Sequence, residues 1–363
     1  MAKVTLNNLT NLENEVSVVG AINANNDNLE TALENTLSRD GTAPNEMNAI
    51  LDMNNFRIIN VHDPVGDHDV VTKATLASLA SFGVTNHSLL TGLSNDDHPQ
   101  YALKTQVREI LTGNRTYYVR TDGNDANTGL VNTAGGAFAT LQKAINTVAA
   151  IDISIYQVTI KLGTGTYSGA AANCYIFSNW LGTGSVVIEG DMTTPSNVVL
   201  QGTSGLGTIC VVSGSVTVQG VSIGGSIGIA VRGAGNVTIG AKVRFLACSN
   251  YHLTVDGSGG VINGRQAYEI AGDAAFHIVA VGPCSLDIAA VQVTLTGTRN
   301  FAGSYVYCVR QGLVNYYSNT FVGTATGTRY IVDTGGGVFV NGAGTSYLPG
   351  SSAGSLTSPG WYS

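Results

Sequence analysis

Short runs of alternating apolar and polar residues dominate the chain from residue 116 to residue 345. Runs such as SVTVQG, NVTIG, YHLTVDG and SLDIAA place apolar residues at every second position, and most end in small turn-forming residues. Alternation with a period of two is typical of strands with one buried face, and Gly, Asn or Ser marks the turns between them. The pattern therefore predicts many short β-strands joined by tight turns.

One apolar pair recurs along this region and predicts a solenoid. Repetition of a small strand unit, with almost no helix between the strands, is typical of coils that stack on one another. We therefore expect a parallel β-helix over residues 116–345. An antiparallel sandwich is the alternative, but tight NG or DG hairpin turns are few. The recurring pairs are Val216 with Val218, Val237 with Ile239, and Leu286 with Ile288.

Helical spacing of apolar residues appears in two places. From Phe138 to Ala150 it predicts an amphipathic helix just before the regular strands, where it could cap the open end of the stack. In residues 1–40 an apolar stripe is interrupted by Asn23 and Asn26, as in coiled coils whose polar seam residues fix register. We interpret residues 1–40 as a short parallel coiled coil. One amphipathic helix on a globular body is the alternative. The stripe consists of Leu9, Leu12, Val16, Val19, Leu29, Leu33 and Leu37.

Residues 41–115 and 346–363 differ from the strand-rich region. The first segment carries Pro, Asp, Asn or Gly every few residues, and such a short segment does not bury a core of its own. We predict an elongated, interwoven shaft in which three copies bury their apolar side chains against one another. The second segment is small and polar, and we expect an extended tail that could pack on a neighbouring chain through Trp361 and Tyr362.

Composition excludes several classes of protein. Charged residues make up 11% of the chain, hydrophobic residues make up 44%, and the formal net charge is −7. This balance predicts an ordered chain, because disorder needs low hydrophobicity and high charge. Nucleic acid is not an expected partner, since the only concentrated basic pair is Lys242 with Arg244. We also expect no membrane span and no secretory signal, because no apolar run is long enough for the first and the N-terminus lacks an apolar core for the second.

Cysteine spacing and Gly-rich stretches give no indication of a cofactor. The five cysteines are scattered and form no CxxC pair, which predicts buried thiols in a protein folded in a reducing cytosol. The Gly-rich stretches lack the Lys-Ser/Thr ending of a phosphate loop and do not open a helix. We therefore expect no cofactor. The cysteines are Cys174, Cys210, Cys248, Cys284 and Cys308.

Candidate catalytic residues are carboxylates near strand ends. Glycosidic cleavage needs two carboxylates, or a carboxylate with a base, at a defined separation. Glu189 and Asp191 are two positions apart, so they share one face of a strand and form either a hydrolytic pair or a solvated strand end. We assign no catalytic residue. The weaker candidates are Glu269 with Asp273 as a second pair, and Tyr268 with Arg265 and Glu269 as the base and cation of a lyase.

Binding of a sugar without chemistry needs aromatic faces and a few polar groups. Aromatic residues cluster in three places, and alternation puts Tyr305 and Tyr307 on one face, so some of them must belong to the core or to an interface. The candidate ligand-binding residues are Tyr175, Trp180, Tyr251, Tyr305, Tyr307, Tyr316 and Tyr317.

Two segments carry the ligand types of divalent ions. In residues 62–69 turn formation is the preferred interpretation. His98, in DDHPQY, is either part of a polar turn or, with three copies meeting on a three-fold axis, a ligand to one shared ion. We assign no metal site. The first segment contains His62, Asp63, Asp67, His68 and Asp69.

Three stretches resemble bacteriophage tail fibres. LDMNNFRIIN at 51–60 leads into DPVGDHDVVTK at 63–73, and the combination resembles a module common in those proteins. GLSNDDHPQY at 92–101 resembles a second stretch frequent in tail and virion fibres. YYVRTDGNDANTG, FATLQKAIN and VTIKLGTGTYSG, within 117–170, resemble the start of pectate-lyase-like β-helix domains. The matching positions of the first module are Leu51, Asp52, Met53, Asn54, Ile58, Asn60, Asp63, Pro64, Asp69, Val70, Thr72 and Lys73.

The resemblance implies a homotrimeric tail-fibre or tailspike subunit with a right-handed parallel β-helix. Such a protein is synthesised in the host cytoplasm and located in the phage tail, where its N-terminal region attaches to a tail or baseplate protein. The distal β-helix would bind a bacterial surface polysaccharide. Catalytic tailspikes tend to have more rungs and a carboxylate-lined groove, so we expect binding without cleavage here. A depolymerase of capsule or O-antigen glycan and a connector fibre without ligand stay open as alternatives.

Overall fold

A computed structural model describes residues 6–8, 14–34, 50, 52–81, 108–176 and 180–363 of the chain. The chain divides into two compact units, Met1–His98 and Pro99–Ser363. In its described residues the first unit contains two helices, α1 (Glu15–Glu34) and α2 (Lys73–Ser81). None of the helices in the described part of the chain is both long enough and apolar enough to cross a membrane.

Helix α1 confirms the helical pattern at residues 15–34, and its apolar side chains lie in solvent in the single chain. Val16, Val19 and Leu33 are all exposed. Burial of such a stripe is what normally stabilises a helix, and among the described residues Val16 and Val19 remain exposed. Its pairing with helices of other copies stays a prediction. Leu9, Leu12 and Leu37 lie outside the described residues.

The second unit is a parallel β-solenoid of about eight turns, as the strand pattern predicts. All strand pairs of the described chain are parallel, which excludes the antiparallel sandwich. One α-helix, α3 (Leu141–Ala149), lies between the first two strands. The strands are β1 Arg115–Val119, β2 Val158–Leu162, β3 Gly165–Ser168, β4 Cys174–Ile176, β5 Val186–Glu189, β6 Val198–Gly202, β7 Ile209–Val211, β8 Ser215–Gln219, β9 Ser222–Arg232, β10 Asn236–Ile239, β11 Val243–Asp256, β12 Val261–Gly264, β13 Tyr268–Ile270, β14 Ala274–Val281, β15 Ser285–Ile288, β16 Gln292–Val309, β17 Leu313–Asn315, β18 Thr320–Asp333, β19 Gly337–Phe339, β20 Ser355–Leu356 and β21 Trp361–Tyr362.

Two sheets form the walls of the solenoid. The first sheet has the order β1-β2-β5-β8-β10-β12-β15-β17-β19-β21. The second has the order β20-β18-β16-β13-β11-β9-β6-β3, with β4, β7 and β14 paired beside that path. Register shifts interrupt the longest strands of the second sheet, for example between Phe245 and Cys248 of β11. Such irregularities bend a strand, so one long strand can follow the wall around a corner.

Inward side chains of the first sheet stack rung upon rung. The predicted equivalence is confirmed, because Val216 pairs with Val237 and Val218 pairs with Ile239. Each of these side chains is fully buried. Neighbouring strands lie ~4.8 Å apart, so every inward residue contacts its equivalent on the next rung. The whole ladder runs through Val158, Val186, Val216, Val237, Ile262, Leu286, Val314, Val338 and Tyr362.

Helix α3 covers the first rung of the stack. Thr140 caps its N-terminus by accepting a hydrogen bond from the Lys143 backbone N–H at 3.2 Å. The carboxylate of Asp125 holds Thr140 in turn, through its backbone N–H and its hydroxyl. The helix buries Leu141, Ala144, Ile145 and Val148 against the solenoid core. This amphipathic helix therefore closes the end at which the sheets begin.

The segment predicted as an extended C-terminal tail contributes two short strands to the solenoid. β20 pairs with β18, and β21 pairs with β19. The ring of Tyr362 stacks on that of Tyr330, with centroids 4.1 Å apart. Trp361 remains partly exposed. These contacts lie within one chain.

The predicted buried thiols are found at four of the five cysteines. Cys210, Cys248, Cys284 and Cys308 are free and buried. Burial raises the pKa of the Cys248 and Cys308 thiols to about 12. These two side chains therefore remain neutral, and they pack as small apolar groups.

A chain of hydrogen bonds crosses the apolar interior. His252 Nε2 lies 3.0 Å from the Leu246 carbonyl oxygen, which can only accept, so Nε2 carries the proton. Nδ1 of His252 then accepts from Nδ1 of His277 at 3.1 Å. Nε2 of His277 is left to accept from the Tyr268 hydroxyl at 2.9 Å. One carbonyl thus fixes the tautomers of two buried, neutral imidazoles.

Two further tyrosines, Tyr316 and Tyr305, extend this chain of hydrogen bonds. The Tyr268 oxygen accepts from Tyr316, at 2.6 Å, and the Tyr316 oxygen accepts from Tyr305, at 2.8 Å. Burial raises the pKa of all three hydroxyls, so they stay protonated and can donate. Phe245 and Phe301 pack edge-on against members of the chain. This part of the solenoid interior is therefore filled by aromatic rings whose polar atoms satisfy one another.

The buried imidazoles predict a loss of stability in acid. Burial lowers the pKa of His252 to about 4 and holds that of His277 well below its usual value. Unfolded imidazoles titrate near roughly pH 6.5. Their contribution to stability is therefore fully present above that pH and falls as the pH drops towards about 4. We predict that calorimetric melting temperatures decline over this window, and that His277→Phe makes the decline shallower.

The exposed His68 provides the matched control. His68→Phe removes an exposed imidazole outside the buried hydrogen-bond chain, so its melting curves should match those of the wild type. Equal pH dependence in the wild type and His277→Phe would contradict the buried neutral pair.

Candidate ligand-binding cleft

A polar cleft lies where three neighbouring strands of the first sheet end. β1, β2 and β5 are adjacent and parallel, so the residues after Val119, Leu162 and Glu189 meet at one edge of the sheet. The cleft has a volume of about 690 Å³. We call it the polar cleft. Its lining includes Arg120, Thr121, Asp122, Asn132, Lys161, Gly163, Thr164, Gly190, Asp191, Met192 and Thr193.

One wall is built by the turn that follows β1. Arg120 donates from Nε and from a terminal nitrogen to the two oxygens of Asp122, at 2.7 and 3.0 Å. Its other terminal nitrogen donates to the Asn132 side-chain oxygen at 3.2 Å. Gly123 allows this tight turn, since a Cβ there would lie 2.3 Å from the Phe138 carbonyl oxygen. Asp122 and Asn132 therefore fix the position of the guanidinium group. They use three of its five N–H donors, so two remain.

The opposite wall is an outward ladder on consecutive rungs. Lys161 Nζ donates to Glu189 Oε1 at 2.6 Å and to the Gly190 carbonyl oxygen at 2.7 Å. Gln219, on the next rung, donates to the second oxygen of Glu189 at 2.6 Å. Tyr118 pairs with Lys161 in the register and so lies at the start of the same ladder. The parallel register of the strands alone therefore aligns these polar side chains on the outer surface.

The carboxylate of Asp191 is occupied by hydrogen bonds in the turn that follows β5. Its carboxylate accepts the backbone N–H groups of Thr193 and Thr194 and the side-chain amide of Asn197. These hydrogen bonds, with that from Thr194 the largest, lower the pKa of Asp191. A general acid needs a raised pKa, so Asp191 does not suit that role. Both oxygens of Glu189 are likewise occupied by donors.

The second carboxylate pair is also engaged in structural contacts. Glu269 accepts from Arg244 Nε at 3.0 Å, and the Thr296 hydroxyl donates to its other oxygen. Asp273 accepts the Asn300 backbone N–H at 3.0 Å. Arg244 and Glu269 line a smaller pocket of about 280 Å³. The carboxylates therefore tie neighbouring rungs together.

The proposed lyase constellation is not assembled. Tyr268 lies inside the solenoid, bonded to His277 and Tyr316. Arg265 lies outside and forms an ion pair with Asp287 at 2.5 Å. A buried hydroxyl with a raised pKa cannot contact a glycan on the outer surface.

Two of the tyrosines proposed for ligand binding lie in the core. Tyr305 and Tyr316 have no exposed surface. Alternation predicted that some tyrosines would be internal, but it could not choose which, because the irregular stretch of β16 before Tyr305 shifts the register. Their place in the interior separates them from any glycan.

The remaining aromatic candidates lie nearer the surface, away from the lining of the polar cleft. Tyr251 and Tyr307 flank Phe276, with ring centroids 5.8 and 5.3 Å away. Tyr317 packs against Phe339 at 5.5 Å. Trp180 is half-buried against the core, and Tyr175 belongs to β4, but its side chain is not among those described.

The metal-like run at 62–69 forms turns. Asp69 accepts the backbone N–H groups of Val65 and Gly66, and these bonds lower its pKa. Asp63 accepts from the hydroxyl of Thr72. Among the residues with described positions, no three His, Cys, Asp or Glu side chains form a group that could hold an ion. His98 lies outside the described residues.

Sequence reasoning missed Arg120, Asp122, Asn132 and Lys161. The first two follow a strand end in RTDGND, which was interpreted only as a turn. A usable signal existed, since residues just after the ends of stacked parallel strands converge at one edge. The register that brings them together was the missing information.

The cleft combines fixed donors and acceptors with glycine-lined backbone. Arg120, Asn132 and Lys161 keep unused N–H groups, while Asp122 remains half-exposed with lone pairs available. Sugar hydroxyls both donate and accept, so such a mixed wall can bind them.

The Lys161–Glu189 contact predicts a small coupling energy. We expect a double-mutant cycle of Lys161→Met and Glu189→Gln, measured by denaturant unfolding, to give about 0.2–1 kcal/mol, because the pair is partly solvated. Lys161→Met combined with the distant Asp287→Asn should be additive within about 0.5 kcal/mol. Zero coupling in the first cycle would mean that the ladder does not form in solution.

Comparisons with known proteins do not extend this description. A scan against protein-family models, a search of curated proteins and a search of solved structures each find no match to the chain. The function of the cleft must therefore be inferred from the chemistry of its own residues.

Proposed function

We propose that this chain is a subunit of a trimeric bacteriophage tail fibre or tailspike, which binds a bacterial surface polysaccharide in the polar cleft of a right-handed solenoid. The observation that carries the proposal is the cleft itself: a polar groove of about 690 Å³ at the strand ends of a rigid scaffold. Polar groups fixed on stacked strands recognise a flexible polymer at low entropic cost to the protein.

The sequence resemblance at residues 45–73 and 92–101 supports the phage assignment. In this proposal the N-terminal region attaches to a tail or baseplate protein, and the solenoid is distal. The protein is made in the host cytoplasm and acts in the virion.

Exposed apolar side chains in the first unit support the trimer. Ile50, Phe56, Ile59 and Val65 are between 73% and 98% exposed, although hydrogen bonds through Asp69 order the turn beside them. A monomer rarely leaves so many large apolar side chains in water within one short segment. Three copies wrapped around one axis would bury them, together with the stripe of α1.

Binding is favoured over cleavage because the candidate carboxylates already serve other contacts. Glu189 accepts from Lys161 and Gln219, and Asp191 is saturated by its own turn. A depolymerase would need at least one of them free to transfer a proton to the leaving sugar. A connector fibre without ligand would have no use for the cleft.

Glycan binding without cleavage is the expected result. The intact protein should bind one or more polysaccharides in a panel of bacterial capsules and lipopolysaccharides, and reducing ends should not accumulate during incubation. Glu189→Gln and Asp191→Asn serve as chemical controls, since they would abolish sugar release by a depolymerase. Release by the wild type but not by these variants would establish the enzyme instead. Incorporation into particles without any host binding would establish the connector.

The trimer predicts a solution mass of three times the chain mass of 37.5 kDa. Light scattering measures this mass without a shape assumption. Val19→Lys places a charge in the apolar stripe of α1 and should weaken association, because a buried unpaired charge is costly. Ala21→Lys, on the opposite face of the helix, is the matched control and should leave the mass unchanged. A stable wild-type monomer would contradict the proposal.

A further inference from the structure

Each cation of the polar cleft is paired with a carboxylate of the protein itself. Arg120 pairs with Asp122, and Lys161 pairs with Glu189. Asp191 adds a carboxylate with no cationic partner among its hydrogen bonds. At and beside the cleft there are therefore two cations against three carboxylates.

An anionic sugar would have to compete with these pairs. A carboxylate or phosphate group on a ligand could accept from the two remaining N–H donors of Arg120, but it would then lie beside Asp122, whose bidentate contact already neutralises the guanidinium. It would also be repelled by Asp191 and by the net charge of −7 on the chain. Arg120 and Lys161 are both already paired with a carboxylate, so an acidic polymer gains little net attraction in this cleft.

Neutral hydroxyl groups meet no such competition. Two N–H donors of Arg120, one of Lys161 and the amide of Asn132 remain available beside the half-exposed carboxylate of Asp122. A vicinal pair of sugar hydroxyls can donate to Asp122 while accepting from Arg120, and the ion pair stays intact. Ionised partners make these hydrogen bonds stronger than neutral ones.

We propose that the polar cleft selects neutral polysaccharides and excludes chains that carry uronic acid, sialic acid or phosphate groups. This inference rests on the proposed glycan-binding function and adds the substrate class. Asp122 is the specificity-determining residue, because it neutralises Arg120 and presents acceptors to hydroxyl groups.

The test uses the intact protein on an array of immobilised bacterial polysaccharides, half of them neutral and half acidic. Neutral chains should bind, with affinities that do not change when the ionic strength is raised. Asp122→Asn should weaken that binding about tenfold, since a charge-assisted acceptor is lost, and should allow weak salt-sensitive binding of acidic chains. Asp256→Asn is the matched control: Asp256 is also a half-exposed partner of an arginine, but it lies on the second sheet, and the affinity should stay the same.

The outcomes separate this inference from the function on which it rests. Strong binding of acidic chains by the wild type would overturn the selectivity and leave the receptor-binding function in place. Neutral binding that is unaffected by Asp122→Asn and Lys161→Met would place the ligand elsewhere and also overturn the inference. Failure to bind any polysaccharide of the array would overturn the proposed function, and the inference with it.

Discussion

Stacking of identical positions on successive parallel strands is the constraint on which the rest of the structure depends. Once Val216 pairs with Val237, every inward residue is above an inward residue and every outward residue is above an outward one. The interior becomes a set of apolar ladders, and the outer surface becomes a set of ladders as well. Lys161, Glu189 and Gln219 are hydrogen-bonded for this reason, although they are far apart in sequence.

The interior is not uniform, because aliphatic side chains fill some rungs and aromatic rings fill others. Each buried Tyr or His brings a polar atom into an apolar space. The one-directional hydrogen-bond chain from Tyr305 to the Leu246 carbonyl satisfies these atoms in sequence. A satisfied network costs little, whereas one missing member would leave a buried polar atom unpaired.

Much of the fold could be predicted from sequence, and most of the site could not. Period-two alternation and the pairs at Val216 and Val237 are local signals of stacked strands and predicted the solenoid. Helical spacing from Phe138 to Ala150 separately predicted the helix before its regular strands. Tyr305 was proposed as a ligand contact because it belongs to a cluster of aromatic residues. Its inward direction could not be predicted, since it depends on an irregular stretch of β16 that leaves no clear trace in sequence. Arg120 and Lys161 lie 41 positions apart, and only the register of β1 against β2 brings their walls together. The pattern of a single strand does not reveal which residues of the next strand it pairs with. Contacts that depend on this register therefore could not be predicted.

The capping helix α3 and one wall of the polar cleft both belong to the segment between β1 and β2. Between β1 and β2 the chain makes an excursion that contains α3 and the RTDGND turn, whereas later strands of the first sheet follow one another more closely. Helix α3 covers the first rung, which would otherwise expose apolar surface and strand edges at the open end of the stack. The turn before that helix departs from the first sheet. It places Arg120, Asp122 and Asn132 beside the ends of β2 and β5. The need to close the solenoid therefore also creates the concave surface on which a ligand can be bound.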